Sequence, residues 1–79
     1  MDNRQKLVDA FVRALWVEKE QIVDSLRYQE SEKWDSVSHM ILIAELEDTF
    51  EIEIDTHDVI EMSSVAKAKV IVAKHGIEF

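Results

Sequence analysis

The chain has no proline, and its only glycine is Gly76, close to the C-terminal Phe79. Tight hairpins and long flexible linkers draw heavily on those two residues, so their absence over nearly the whole chain favours helices. With 79 residues, the chain can enclose one modest core, and its high ratio of surface to volume predicts marginal stability.

Apolar spacing places the helices. Leu7, Val8, Phe11, Val12 and Leu15 recur every three or four residues, which predicts a first amphipathic helix from about Asp2 to Trp16, capped by Asp2 or Asn3. From Val17 to Lys33 the periodicity weakens, and Ile22, Val23, Leu26, Tyr28 and Trp34 read as scattered anchors pinning a long connection to the core. A connection of that length is unusual without a function or a short helix inside it. A second helix runs from Ser38 to about Phe50. Asp55 to Met62 holds a short third helix with Val59, Ile60 and Met62 as its apolar side. Ser63 or Ser64 caps a last helix through Lys74, with Val65, Ala68, Ile71 and Val72 inward and Gly76 as its stop. The expected fold is all-α: a single domain over residues 1–79, a small four-helix bundle with a long loop between its first two helices.

The net charge of -8, from 17 acids against 9 lysines and arginines, argues against nucleic acid as a partner and for basic protein surfaces. The N-terminal segment mixes Asp2, Arg4, Lys6 and Asp9 with its apolar residues, unlike a signal peptide, and no apolar run approaches membrane-spanning length. A cytoplasmic monomer that does not insert into membranes is therefore expected. The absence of cysteine excludes disulfides, a thiol nucleophile and a cysteine metal site, so any thioester chemistry must use an imported thiol.

The second helix carries the functional argument. At about 100° per residue its apolar positions divide between two opposed faces. Leu42, Ile43, Leu46 and Phe50 fall on one side, and Val37, Met40, Ile41 and Ala44 on the other. Glu45, Glu47, Asp48 and Glu51 lie around the second stripe. An apolar strip rimmed by acids suits docking to basic, partly apolar partners. The plainer alternative is that Val37 and Met40 pack under the preceding loop; Ile41 is harder to assign to the core.

At the head of this helix stands Trp34-Asp35-Ser36-Val37. A serine in the first turn projects toward unpaired backbone N–H groups and the positive end of the helix dipole, where a phosphodiester is well placed. Serine and aspartate are also ordinary N-caps, and on spacing alone capping is the commoner role.

From Leu26 through Val72 the chain resembles the acyl carrier proteins. The resemblance rests on Asp35-Ser36-Val37, on the stretch from Ala44-Glu45-Leu46-Glu47-Asp48 through Phe50 to Ile52-Glu53-Ile54, and on Ser63-Ser64-Val65 opening the last helix. The first helix fits in length and position, so the likeness extends over essentially the whole chain. It implies a carrier fold and a 4′-phosphopantetheine arm joined to Ser36 through a phosphodiester. A phosphopantetheinyl transferase would install the arm from coenzyme A with magnesium, and Asp35 would help position that enzyme and its metal. The arm's thiol would hold an acyl group as a thioester. Loading ligases, synthases or acyltransferases with basic docking surfaces would meet Val37, Met40, Ile41, Ala44, Glu45, Glu47, Asp48 and Glu51. The carrier itself would be no enzyme; it would hold an intermediate at high effective concentration near successive active sites.

The sequence departs from the family pattern at several places. The usual glycine before the Asp-Ser pair is missing and Trp34 stands close by, a variant resembling stand-alone carriers outside primary fatty-acid synthesis. Val37 replaces the usual leucine, and Ser38 and Ile41 stand where fatty-acid carriers often have acids. These changes bear on partner and cargo and leave the attachment chemistry intact. They point to a dedicated lipid or secondary-metabolite pathway. An aminoacyl or peptidyl carrier, and an unmodified carrier-like interaction module, are the alternatives.

Two other chemistries fit poorly. Asp35, Ser36 and His39 superficially form a nucleophile, base and acid set, but a triad needs the histidine between serine and acid, and there is no Gly-x-Ser-x-Gly elbow. His39 falls near the inward face, bordering the core or a cargo entrance, or satisfying a local hydrogen bond. Asp55, His57, Asp58 and Glu61 lack the alternating oxygen ligands and central glycine of a calcium loop, and read as an acidic short helix. No metal site is expected.

Overall fold

A computed structural model describes residues 2–79. The protein is an all-α four-helix bundle: α1 Asn3–Leu15, α2 Ser36–Phe50, α3 Thr56–Glu61 and α4 Val65–Ala73, with a 3-10 turn at Lys19–Gln21 in the first connection. The only β-type pairing among the described residues is an isolated antiparallel bridge between Arg27 and Ser64.

Each α-helix begins on a side chain that accepts from its first turn. Asp2 accepts from the Gln5 N–H at 2.7 Å, Asp35 opens α2, Asp55 accepts from Asp58 N–H at 2.8 Å, and Ser64 accepts from Lys67 N–H at 3.0 Å. α1 closes on Trp16 in the left-handed region (φ 57°), whose N–H returns to the Val12 carbonyl.

The long connection between α1 and α2 is ordered because its backbone is paired. Val65 and Ala66, at the start of α4, donate to the carbonyls of Leu26 and Asp24 at 3.0 and 3.1 Å, and Tyr28 donates to Ser63 at 3.0 Å. The loop thereby satisfies N–H groups that α4 cannot satisfy internally. Asp24 adds ionic ties to Lys69 on α4 and Arg4 on α1.

Leu7, Phe11 and Leu15 of α1, Leu42 and Leu46 of α2, Met62 after α3, and Val65, Ala68, Ile71 and Val72 of α4 form the core. The loop contributes Ile22 and the fully buried Trp34, whose ring stands edge-on to Phe11 at 5.2 Å between centroids. Leu26 and Tyr28 pack against this core as partly buried side chains.

The structure differs from the sequence expectation in three places. Val23 is exposed, because Ile22 takes the inward position at the end of the 3-10 turn and the next side chain faces away. Ile60 is also exposed. The inward arc of α3 is instead Asp58 and Val59, four and three residues before the buried cap residue Met62, with the buried Asp58 carboxylate paired to Lys74 at 2.7 Å. Finally, α2 starts at Ser36 rather than Ser38, since the extended backbone of Asp35 (φ -114°, ψ -172°) makes it the cap.

Candidate functional site

The start of α2 is built by a reciprocal cap. Asp35 Oδ1 accepts from the N–H groups of Val37 at 3.0 Å and Ser38 at 2.9 Å, while the Asp35 N–H donates to Ser38 Oγ at 2.9 Å. Ser38, buried, donates its own hydroxyl to the Lys33 carbonyl at 2.6 Å and so ties the loop to the helix. The Ser38 N–H foremost, with help from its hydroxyl and the Val37 N–H, holds the Asp35 carboxyl below its ordinary pKa, against a smaller opposing effect of desolvation.

Ser36 is the first helical residue and is exposed, and its hydroxyl takes no part in these bonds. The sequence assigned the first-turn N–H groups to an incoming anion; two of them are occupied by Asp35. What remains for an anion there is the N–H of Ser36 itself, which has no acceptor among the described residues, together with the dipole at the helix start and open solvent.

Beyond Ser36, the exposed side of α2 carries Val37 (69% exposed), Met40 (59%) and Ile41 (46%), together with exposed Ala44. The acids around them divide into two kinds. Glu45 accepts from Arg13 Nε at 2.7 Å, while the same guanidinium donates to Thr49 at 3.0 Å, which ties α1 to α2. Glu47 accepts from the Ile54 N–H at 2.9 Å and fastens the turn after α2. Asp48 and Glu51 are exposed and make no side-chain hydrogen bond or ion pair among the described residues. Glu51 is the left-handed cap of α2 at φ 55°.

On the neighbouring side of α2, His39 is held by both nitrogens. Trp34 Nε1 donates to Nδ1 at 2.9 Å, and Nε2 lies 2.8 Å from the Val59 carbonyl. An indole N–H only donates, so Nδ1 must accept and Nε2 must carry the proton toward Val59. His39 therefore caps the C-terminal end of α3. Tyr28 packs edge-on to the imidazole at 5.1 Å, and the Trp34 ring lies side by side with it, 24° from parallel and 6.1 Å between centroids, as their N–H to N bond requires.

Beside this relay a cleft of about 260 Å³ is lined by Tyr28, His39, Val59, Ile60, Met62 and Ser63. A larger depression of about 570 Å³, along α4 and the C-terminal tail from Lys69 to Phe79, contains none of the residues around Ser36. The smaller cleft is the nearer of the two to Ser36, because His39, which lines it, follows Ser36 by one helical turn. Sequence reasoning placed His39 at the border of the core or of a cargo entrance, or in a local hydrogen bond, and did not assign Tyr28, Val59, Ile60, Met62 or Ser63 to a cleft. The available signal was Ile60, a large apolar residue beside an acidic helix face.

The other acids and histidines of α3 have local partners: His57 lies 3.7 Å from Glu61 one turn on, and Asp58 pairs with Lys74. Among the described residues no group of three or more histidines and carboxylates converges on one point, and no helix is long and apolar enough to cross a membrane. A scan against protein-family models gives no match for this chain, and a search of curated proteins gives none.

Proposed function

We propose that this protein is a carrier of acyl groups, held as thioesters on a 4′-phosphopantetheine arm attached to Ser36, and that it serves a dedicated lipid or secondary-metabolite pathway. The observation that carries the reading is Ser36 itself: an exposed serine at the first position of a helix, its hydroxyl outside the cap that fixes the helix around it, next to an exposed apolar strip.

The residues fit such an arm. Asp35 and Ser38 make the helix start rigid without using the Ser36 oxygen, so a transferase meets a hydroxyl in a fixed place. The depressed Asp35 carboxyl is ionised at neutral pH and offers an anionic mark beside it. The arm would supply the thiol that a chain without cysteine lacks. Val37, Met40, Ile41 and Ala44 offer apolar contact, and Asp48 and Glu51 offer free negative charge to basic partner enzymes. The cleft at His39 offers partial shelter to an apolar cargo, each buried CH₂ contributing about 0.8 kcal/mol. An aminoacyl cargo draws less from such a surface.

One observation favours the reading of an unmodified interaction module: Asp35 already occupies the N–H groups of Val37 and Ser38, so two of the first-turn donors need no phosphate. The same experiment separates the two. The chain is incubated with coenzyme A, magnesium and a broad-specificity phosphopantetheinyl transferase, and its intact mass is measured. One added arm, abolished by Ser36→Ala without loss of helical signal, is expected. No adduct under conditions that modify a control carrier, or an adduct on another serine, rules the carrier reading out.

A further inference from the structure

We propose that the outer face of α4, together with the depression of about 570 Å³ between this helix and the C-terminal tail, is a second docking surface, and that its occupant is an acidic amphipathic helix of a partner protein. The inference uses neither Ser36 nor an arm, so it goes beyond the carrier reading and stands or falls apart from it.

α4 is apolar on two sides. Val65, Ala68, Ile71 and Val72 face the core, while Val70 faces out at 56% exposure. On a helix the outer neighbours of Val70 are the residues three and four positions away, which are Ala66, Lys67, Ala73 and Lys74, all exposed. The apolar surface continues past the helix to half-buried Ile77 and exposed Phe79, which line the depression with Val70 and Ala73. The tail that forms its far wall is held in place: Asn3 Nδ2 donates to the Glu78 carbonyl at 2.9 Å, and the Phe79 ring stands edge-on to Phe50 at 6.1 Å between centroids. A single exposed valine needs no explanation, but an apolar stripe that runs from a helix into a fixed concave wall is surface left open to something that docks.

Charge and backbone together name the occupant. The chain has 17 acids and a net charge of -8, yet no acid falls between Glu61 and Glu78, a span that carries Lys67, Lys69 and Lys74. Asp58 balances Lys74. Asp24 lies between Lys69 and Arg4, one carboxylate against two cations, and Lys67 has no side-chain ion pair among the described residues. The end of the groove at Lys67 and Lys69 is therefore positive on a negative molecule, and Glu78, at the tail end, is the one acid in its lining. Carboxylates of a partner are drawn to that end. The helical backbone of α4 offers no free edge to an extended strand, so the partner must satisfy its own backbone and bring side chains, as a helix does. This face has the opposite charge to the α2 strip and shares no residue with Val37, Met40 and Ile41, so the two select different partners.

The test uses the isotope-labelled full chain and two synthetic peptides that share leucines along one helical face and differ elsewhere, one carrying glutamates and the other lysines. Amide shifts followed by NMR locate each peptide. The acidic peptide is expected to shift the amides from Lys67 to Ala73 and that of Ile77, and the basic peptide those of Ile41, Asp48 and Glu51 on α2. Val70→Ser should weaken binding of the acidic peptide about tenfold by removing apolar burial, and Lys67→Glu about fivefold by removing a charge contact. Both changes are at exposed positions, and the remaining amides of each variant report an intact fold. An acidic peptide that leaves the α4 amides unmoved at millimolar concentration overturns the proposal, as do equal α4 shifts from the basic peptide or binding undiminished in both variants. Shifts in α4 that arise on concentrating the free protein alone would make a second copy of this chain the occupant, and overturn it as well. None of these results bears on whether Ser36 accepts an arm.

Discussion

Glu47 reaches forward from α2 to accept the backbone N–H of Ile54 at 2.9 Å, so one acid on the charged side of the helix also fastens the turn leading to α3. Charge and structure are thus carried by different acids on the same helix. Glu47→Ala should cost about 1–2 kcal/mol of stability, and Glu47→Gln, which keeps an acceptor, should restore most of it. Asp48→Lys and Glu51→Lys should stay within about 0.5 kcal/mol of the parent. Denaturant melts of the four variants check this ordering; equal losses at all three positions would refute it.

On the carrier reading, Asp48 and Glu51, exposed and without side-chain partners among the described residues, are the acids whose reversal tests electrostatic docking. Reversing both should slow association with the transferase, and association of the unaltered protein should weaken between low and moderate salt as screening shortens the reach of its charges. A rate indifferent both to salt and to the reversal would leave only the apolar strip for recognition.

The two tryptophans offer a direct check on the loop. Trp34 is 0% exposed and Trp16 84% exposed, on the left-handed cap of α1. Iodide should therefore quench part of the emission, and Trp16→Phe should leave a signal largely resistant to iodide. Trp34→Phe should leave only quenchable emission and lower the melting temperature, since it removes buried area and the donor that fixes the His39 tautomer. Ready quenching in Trp16→Phe would mean that the loop does not hold Trp34 in the core.

How much of this was legible in the chain varies with the kind of force involved. Helix order, the inward residues of α1 and α4, the four-helix class and the burial of Leu42, Ile43, Leu46 and Phe50 follow from apolar spacing, because burial is dictated by periodicity along a single helix. The start of α2 was misplaced by two residues because Asp35 and Ser38 form a reciprocal cap, and spacing alone does not tell which of several polar residues is the cap. Ile60 was assigned inward because it is apolar. The arc of α3 is set instead by Asp58, whose partner Lys74 is sixteen positions away, and pairing over that distance leaves no periodic trace. The partners of His39 and the lining of the cleft were illegible for the same reason: they join the loop, α2 and α3 through Trp34 and Val59. The exposed position of Ser36 is geometry; the chemistry proposed for it rests on the resemblance and awaits the mass measurement.

The acid limb of the stability curve follows from two carboxylates. Asp24 is held below its ordinary pKa first by the hydrogen bond from Lys69, and Asp35 first by the Ser38 N–H. A group whose pKa is lower folded than unfolded contributes stability above its unfolded value, near about 3.9 for aspartate, and that contribution is lost as pH falls through its folded value. The melting temperature should therefore hold from neutrality to about pH 5 and decline below about pH 4. Asp35→Asn keeps an N-cap without a titrating carboxylate, so it should make the decline shallower. A decline of the same depth in Asp35→Asn would assign the limb to other groups.

The two apolar faces of α2 make the sharpest contrast. Leu46 is 0% exposed and Phe50 9% exposed, so Leu46→Ala and Phe50→Ala each remove core volume and should cost about 2–5 kcal/mol, enough to unfold much of so small a domain. Ile41, 46% exposed on the opposite side, gives up little burial on change to serine, and Ile41→Ser should stay within about 0.5 kcal/mol in stability. Its effect should appear instead when partner enzymes act on the modified protein, because an exposed β-branched residue between Ser36 and Asp48 has apolar surface to offer only to something that docks there. Thermal melts and a loading assay on the same preparations separate the two quantities. An Ile41→Ser variant that melts as early as Phe50→Ala would make Ile41 part of the core, and on the carrier reading apolar recognition would then rest on Val37, Met40 and Ala44.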